Sequence, residues 1–231
     1  MLRFASAQFG FNLMNFVARN VDTVLVGRFL GAASLGTYDK TYQLMRYPLM
    51  LITFAITPAI QPVLRHHAAD LTQIELVHRR LVLRLAFAGV ASSVVVVLGA
   101  SPIVRLLLGP DWEAVIPLLR ILALAVPLQV VAASSGGFYQ AVGRPNVMLV
   151  SGALSASLST AAVVLGVVSG ELEYLAWALV IAIHLSFFQN YALLYSRVFL
   201  RPARSLARTL ALPALLHAAN AFIAFTLTVR T

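Results

Sequence analysis

Seven apolar stretches, each about as long as a helix must be to cross a bilayer, take up most of this sequence: residues 4–30, 38–64, 81–100, 114–142, 147–168, 174–195 and 209–229. A helical crossing needs about 20 predominantly apolar residues, and its backbone hydrogen bonds must close within the crossing because lipid offers no partner. The chain is 60% hydrophobic and only 11% charged, well short of the roughly 25% that a water-soluble surface draws on. The expected fold is therefore all-α, a polytopic transmembrane helical bundle.

The few charges are unevenly signed, with 17 Lys and Arg against 8 Asp and Glu. They lie in the gaps between apolar runs and not on an amphipathic face, so they read as topology signals and not as a nucleic-acid site. With seven crossings and a cytoplasmic N-terminus, the inner segments hold Arg3, Arg65, Arg79, Arg80, Arg144, Arg197, Arg201, Arg204 and Arg208 against Asp70 and Glu75. The outer segments hold Arg28, Lys40, Arg105 and Arg230 against Asp39, Asp111, Glu113, Glu171 and Glu173. That is the inside excess of basic residues the positive-inside rule requires. The first stretch carries Asn12, Asn15, Arg19 and Asp22 and no short basic leader, so it is expected to be a retained helix and not a signal peptide.

Between the crossings the sequence places recognisable breaks. Gly31–Gly36 reads as a turn, and Pro48, Pro58 and Pro62 are expected to kink or loosen the second crossing. Residues 65–80 read as a loop or an interfacial helix holding His66, His67 and His78; no cysteine or compact acidic set accompanies them to suggest zinc. Gly109–Glu113 is a turn, and Pro117, Pro127 and Gly136-Gly137 interrupt the fourth crossing. Ser151, Ser155 and Ser159 recur every four residues, which favours close helix packing. Tyr174 and Trp177 at one end of the sixth crossing, and Tyr191 and Tyr195 at the other, match interfacial aromatics.

The first helix is the most polar. Gln8, Asn12, Asn15, Arg19 and Asp22 follow at steps of four, three, four and three, which puts them on one face. A charge in the bilayer costs at least about 2.5–3.5 kcal/mol, so such a stripe must face other helices or water. Tyr38, Tyr42 and Arg46, spaced by four, extend the surface on the second helix, with Thr53, Thr57 and Gln61 further along. One reading is a hydrophilic pathway in which Arg19 and Arg46 attract an anionic head group through the planar guanidinium fork, and the amides and tyrosines bond polar substituents. The other is structural, with Arg19 paired to Asp22 and Arg46 and Arg120 snorkelling. His184 and His217 likewise suit either proton coupling or packed hydrogen bonding. No cysteine, paired catalytic carboxylates, phosphate loop or HExxH sequence is present, so no enzyme and no cofactor is expected.

Residues 2–12, LRFASAQFGFN, and 20–38, NVDTVLVGRFLGAASLGTY, together with Leu107–Arg120, LLGPDWEAVIPLLR, resemble the second half of a bacterial polysaccharide flippase. The likeness is to the lipopolysaccharide and colanic-acid branch of the multidrug/oligosaccharidyl-lipid/polysaccharide exporter superfamily, over roughly residues 2–150. That resemblance implies residues 1–198 as the second six-helix bundle and 199–231 as a basic cytoplasmic connection with one added helix. It also implies a multi-pass protein of the bacterial cytoplasmic (inner) membrane that moves a lipid-linked oligosaccharide by alternating access. Its partners would be membrane lipids and a missing N-terminal bundle or second membrane subunit, with no nucleic acid. The expected substrate cavity comprises Arg19, Arg46, Asn12, Asn15, Asp22 and Tyr42: the resemblance carries over Arg19, Arg46 rests on its placement in the next helix, and the others rest on the polar spacing. A multidrug-type exporter component, a non-transporting scaffold or a degenerate fragment are the alternatives.

Overall fold

The computed structural model describes residues 21–66 and 70–228, a few of them by backbone alone, and no strand occurs among them. Residues 21–29 are helical, labelled α1, and this helix gives way to a turn at Leu30, just before Gly31. Gly31 has φ +87°, a left-handed conformation that glycine adopts without a steric penalty. This single residue accomplishes the reversal that the sequence spreads over Gly31–Gly36. Helix α2, Gly31–His66, begins there and continues unbroken through Pro48, Pro58 and Pro62. It returns alongside α1, where Leu35 packs against Gly27.

Asp70 starts helix α3, Leu71–Leu107: its Oδ1 accepts hydrogen bonds from the Thr72 and Gln73 amides at 2.9 and 3.2 Å. Residues 71–80 are thus the first turns of a 37-residue helix, neither a loop nor a separate interfacial helix. His78 moves with this correction. It lies on the same face as Ile74 and Val82 and is fully buried, its ring meeting Phe138 at 4.8 Å and Phe199 at 5.0 Å between centroids.

The fourth crossing is broken, as its prolines and glycines suggest. After a 3-10 turn at Pro110–Trp112 come α4, Val115–Ala123; α5, Val126–Ala133; and α6, Ser135–Ala141, with a 48° bend between Val115–Ala123 and Val126–Ala141. Pro127 in the first turn of α5 has no N–H to continue the helical ladder. The carbonyl of Ala123 at the break accepts the Ser93 hydroxyl from α3 at 2.6 Å, and Ser93 Oγ accepts the Asn220 amide at 2.7 Å.

Helices α7, Pro145–Val168, and α8, Leu172–Leu193, form a tight antiparallel pair. The serine stripe faces α8. Gln189 Nε2 donates to Ser155 Oγ at 2.9 Å and to the Ser151 carbonyl at 3.0 Å. Asn190 accepts from Ser151 and Tyr139 and donates to Ser135. Helix α8 runs on through a π turn, Leu194–Val198.

Tyr191 and Tyr195 are buried in the bundle and not exposed at its surface: Tyr191 stacks on Phe187 and reaches the Val131 carbonyl of α5, and α9, Ala203–Thr228, which begins ahead of the expected seventh crossing, meets Tyr195. Tyr195 donates to Thr209 Oγ1 at 2.9 Å. The start of α9 is tied to α3: Arg201 Nε lies 2.7 Å from Glu75 Oε2, and Ser205 donates to Glu75 Oε1 at 3.1 Å. His184 and His217, considered singly in the sequence, meet with Nε2 to Nε2 at 2.8 Å. His184 Nδ1 is 2.7 Å from the Val180 carbonyl, so that ring nitrogen carries a proton.

Among the described residues three helices are long and apolar enough to cross a membrane, Leu71–Leu107, Asn146–Val168 and Leu172–Val198; the bent pair in the fourth crossing makes four. Helices α2 and α9 also have the length, and their uncharged apolar runs, 47–64 and 211–228, fall partly on residues described by backbone alone. The first expected crossing lies largely outside the described residues. Apolar side chains on the outer surface, among them Phe87, Val95, Leu98, Leu149, Leu154, Leu165, Ile181 and Leu185, supply the lipid-facing coat of a multi-pass membrane bundle.

Candidate functional site

A groove of about 740 Å³ opens between α1 and the first half of α2, lined by Asp22, Thr23, Tyr38, Asp39, Tyr42, Gln43, Arg46, Tyr47 and Met50. On α2 these residues form two adjacent rows with a four-residue repeat, Tyr38-Tyr42-Arg46-Met50 and Asp39-Gln43-Tyr47. Neighbouring rows of this kind share one helix face. The opposite face of α2 carries the buried Thr41, Leu44 and Met45, which fixes the groove rows outward from the bundle core.

Asp22 anchors the α1 wall. Its Oδ2 accepts the Tyr38 hydroxyl at 2.9 Å and its Oδ1 accepts the Thr23 amide at 2.8 Å. Tyr38 and Tyr42 lie tilted against each other with centroids 4.7 Å apart, and Gln43 Nε2 lies 3.4 Å from the Tyr47 hydroxyl. None of the hydrogen bonds or ion pairs of the described residues involves Arg46, whose guanidinium is exposed in the groove. The surface thus offers two carboxylates, one guanidinium, one primary amide and three phenols beside the apolar Met50. Carboxylates, amides and phenols suit a polyhydroxylated ligand, the rings give apolar faces, and the guanidinium gives a two-pronged donor for phosphate.

Of the residues expected to form the cavity, Asp22, Tyr42 and Arg46 share this groove. Asn12, Asn15 and Arg19 lie outside the described residues, as does the expected Arg19–Asp22 pair. Asp39, Gln43 and Tyr47 were absent from the expected set, although their four-residue repeat beside Tyr38, Tyr42 and Arg46 is plain in the sequence. No cluster of three or more His, Asp or Glu suited to a metal ion occurs among the described residues.

Tyr38→Phe removes the hydrogen bond that joins the two walls. A bond to a carboxylate contributes about 1.5–3 kcal/mol when shielded, and this one is part-buried, so a loss near 1 kcal/mol is expected. Spin labels at positions 24 and 43 should report a broadened distance distribution. An unchanged distribution would show that packing alone holds α1 on α2.

The sequence profile of the polysaccharide biosynthesis protein family matches residues 1–117, more than half of the chain. The chain belongs to this polysaccharide biosynthesis family. The matched segment contains α1, α2 and α3, and therefore both walls of the groove.

Curated relatives agree with the family. The chain is 27% identical over 143 residues to the teichuronic acid biosynthesis protein TuaB of Bacillus subtilis, covering 62% of this chain and 30% of that protein. It is 31% identical over 150 residues to the amylovoran biosynthesis protein AmsL of Erwinia amylovora, covering 63% and 38%. It is 22% identical over 165 residues to the lipopolysaccharide biosynthesis protein WzxC of Escherichia coli, covering 71% and 34%. The match to this polysaccharide biosynthesis chain thus spans between 30% and 38% of the length of each of these relatives. No solved structure matches it.

Proposed function

We propose that this chain is part of a flippase that carries a lipid-linked oligosaccharide, an undecaprenyl-diphosphate sugar, across the bacterial cytoplasmic membrane by alternating access. The observation that carries the reading is the groove between α1 and α2, where sugar-compatible carboxylate, amide and phenol groups stand beside the exposed Arg46, unpaired among the described residues, at the edge of a lipid-facing bundle. A ligand with hydroxyls, phosphates and a polyprenyl tail presents the matching chemistry in one molecule. No covalent step is involved: the ligand shifts a balance between inward-open and outward-open states through its different contacts in each.

On this reading the N-terminus is cytoplasmic, Arg19 joins Arg46 on the diphosphate, and Asn12 and Asn15 line the same path. The second wall comes from an N-terminal bundle or a second membrane subunit. Asp22 and Asp39 in the groove favour one competing reading, export of amphipathic cations, because carboxylates are what such a substrate seeks.

A photoreactive residue at position 43 tests both in membranes of a polysaccharide-producing bacterium. It should capture the lipid-linked oligosaccharide, and Arg46→Ala should reduce capture about tenfold, as expected for loss of one charge-assisted pair. Capture no greater than from the lipid-facing position 95 overturns the proposal. Capture of an amphipathic cation that depends on Asp22 and ignores Arg46 supports the competing reading.

A further inference from the structure

The end of the bundle where α8 stops and α9 and α3 begin is strongly basic. Arg79, Arg80, Arg84, Arg144, Arg197, Arg204 and Arg208 are all exposed there. The two acids of the same end are both committed within the protein, Asp70 to the first amides of α3 and Glu75 to Arg201 and Ser205. That leaves a field of uncompensated guanidinium groups beside an apolar, lipid-facing surface.

Within this field one groove combines both chemistries. It lies between the start of α7 and the end of α8, has a volume of about 280 Å³, and is lined by Asn146, Val147, Val150, Leu193 and Arg197. Its floor is apolar, and Val150 and the next residue along the same face, Leu154, are exposed to the bilayer side. Its mouth is polar, with the Arg197 guanidinium and the Asn146 amide, and Arg144 immediately precedes α7. No carboxylate lines it among the described residues.

We infer that this groove is a binding site for an anionic glycerophospholipid. The phosphate sits between Arg197 and Asn146, and one acyl chain lies on Val147, Val150 and Leu193 and continues over Leu154. Charge complementarity selects the head group, since an Arg at a membrane surface attracts an anionic lipid by about 1 kcal/mol. The apolar floor selects a lipid over a free anion. A neutral lipid would gain the floor but leave Arg197 uncompensated. The site is separate from the α1–α2 groove and does not depend on the transport reading.

Native mass spectrometry of the full chain released from micelles tests the assignment by counting retained lipids. Phosphatidylglycerol should be retained over phosphatidylcholine. Arg197→Gln should weaken phosphatidylglycerol binding about fivefold, the equivalent of about 1 kcal/mol, and Val150→Trp, which fills the groove, should abolish the preference. Arg208→Gln, in the same basic field but outside the groove, should leave it unchanged. Circular dichroism confirms that each variant is folded; should Val150→Trp not fold, Arg197→Gln against Arg208→Gln decides. Equal retention of the two lipids, an unaltered affinity in Arg197→Gln, an equal loss in Arg208→Gln, or displacement by millimolar inorganic phosphate would each overturn the assignment.

Discussion

Gly166→Val should destabilise the bundle by about 3 kcal/mol or more, beyond the usual range for inserting methyl groups into a packed interior. A Cβ on Gly166 would lie 2.5 Å from the Leu175 Cα and 2.6 Å from its Cδ1. The first of these is backbone, so no side-chain rotation relieves it, and α7 must move away from α8. That displacement loosens the most extensive helix–helix contact among the described residues. Gly152 on the same helix is the matched control, because nothing lies within 4 Å of a Cβ placed there. Thermal unfolding in micelles should show a large drop for Gly166→Val and little change for Gly152→Val. Similar midpoints for the two would mean that α7 and α8 do not approach each other as described.

Asn190→Leu is expected to cost about 2–3 kcal/mol. The side chain joins three helices: its Nδ2 donates to Ser135 on α6, and its Oδ1 accepts from Ser151 on α7 at 3.0 Å and from Tyr139 on α6 at 2.9 Å. Single interhelical hydrogen bonds in membrane proteins average about 0.6 kcal/mol and reach about 1.7, so three of them, with a buried serine hydroxyl left short of its acceptor, give the stated range. Tyr139 is less affected, since its hydroxyl also reaches the Asn190 backbone carbonyl at 2.8 Å, which leucine retains. Adding Ser151→Ala to Asn190→Leu should then cost almost nothing further, whereas independent contributions would add. Additivity in that double variant would remove the hydrogen bond from the explanation.

The helical class and the third to sixth crossings were legible because long apolar runs leave few alternatives to membrane helices. The polar rows on α2 were partly legible for a related reason: Tyr38, Tyr42 and Arg46 share a face by spacing alone. Asp39, Gln43 and Tyr47 were missed because the neighbouring row matters only when a second helix lies beside it, and α1 is brought there by one left-handed glycine. His78 was misread as a loop residue because its burial depends on where α3 begins, which a single cap at Asp70 decides. Tyr191 and Tyr195 resembled interfacial aromatics because a phenol near a helix end has the same sequence appearance whether it meets water or a distant hydroxyl. Thr209 and the Val131 carbonyl, their actual partners, are remote in sequence.

The break between α4 and α5 adds a constraint on how sequences like this one diverge. Ser93 has one proton and gives it to Ala123, so its oxygen must receive a donor, and Asn220 in the last helix provides it. Both side chains are buried, with relative exposures of 0% and 1%. Losing the serine strands the asparagine amide, and losing the asparagine weakens the hydroxyl that steadies the bend. Substitutions at positions 93 and 220, far apart in the chain, should therefore be tolerated together more readily than either alone, with the kinked helix between them setting the terms.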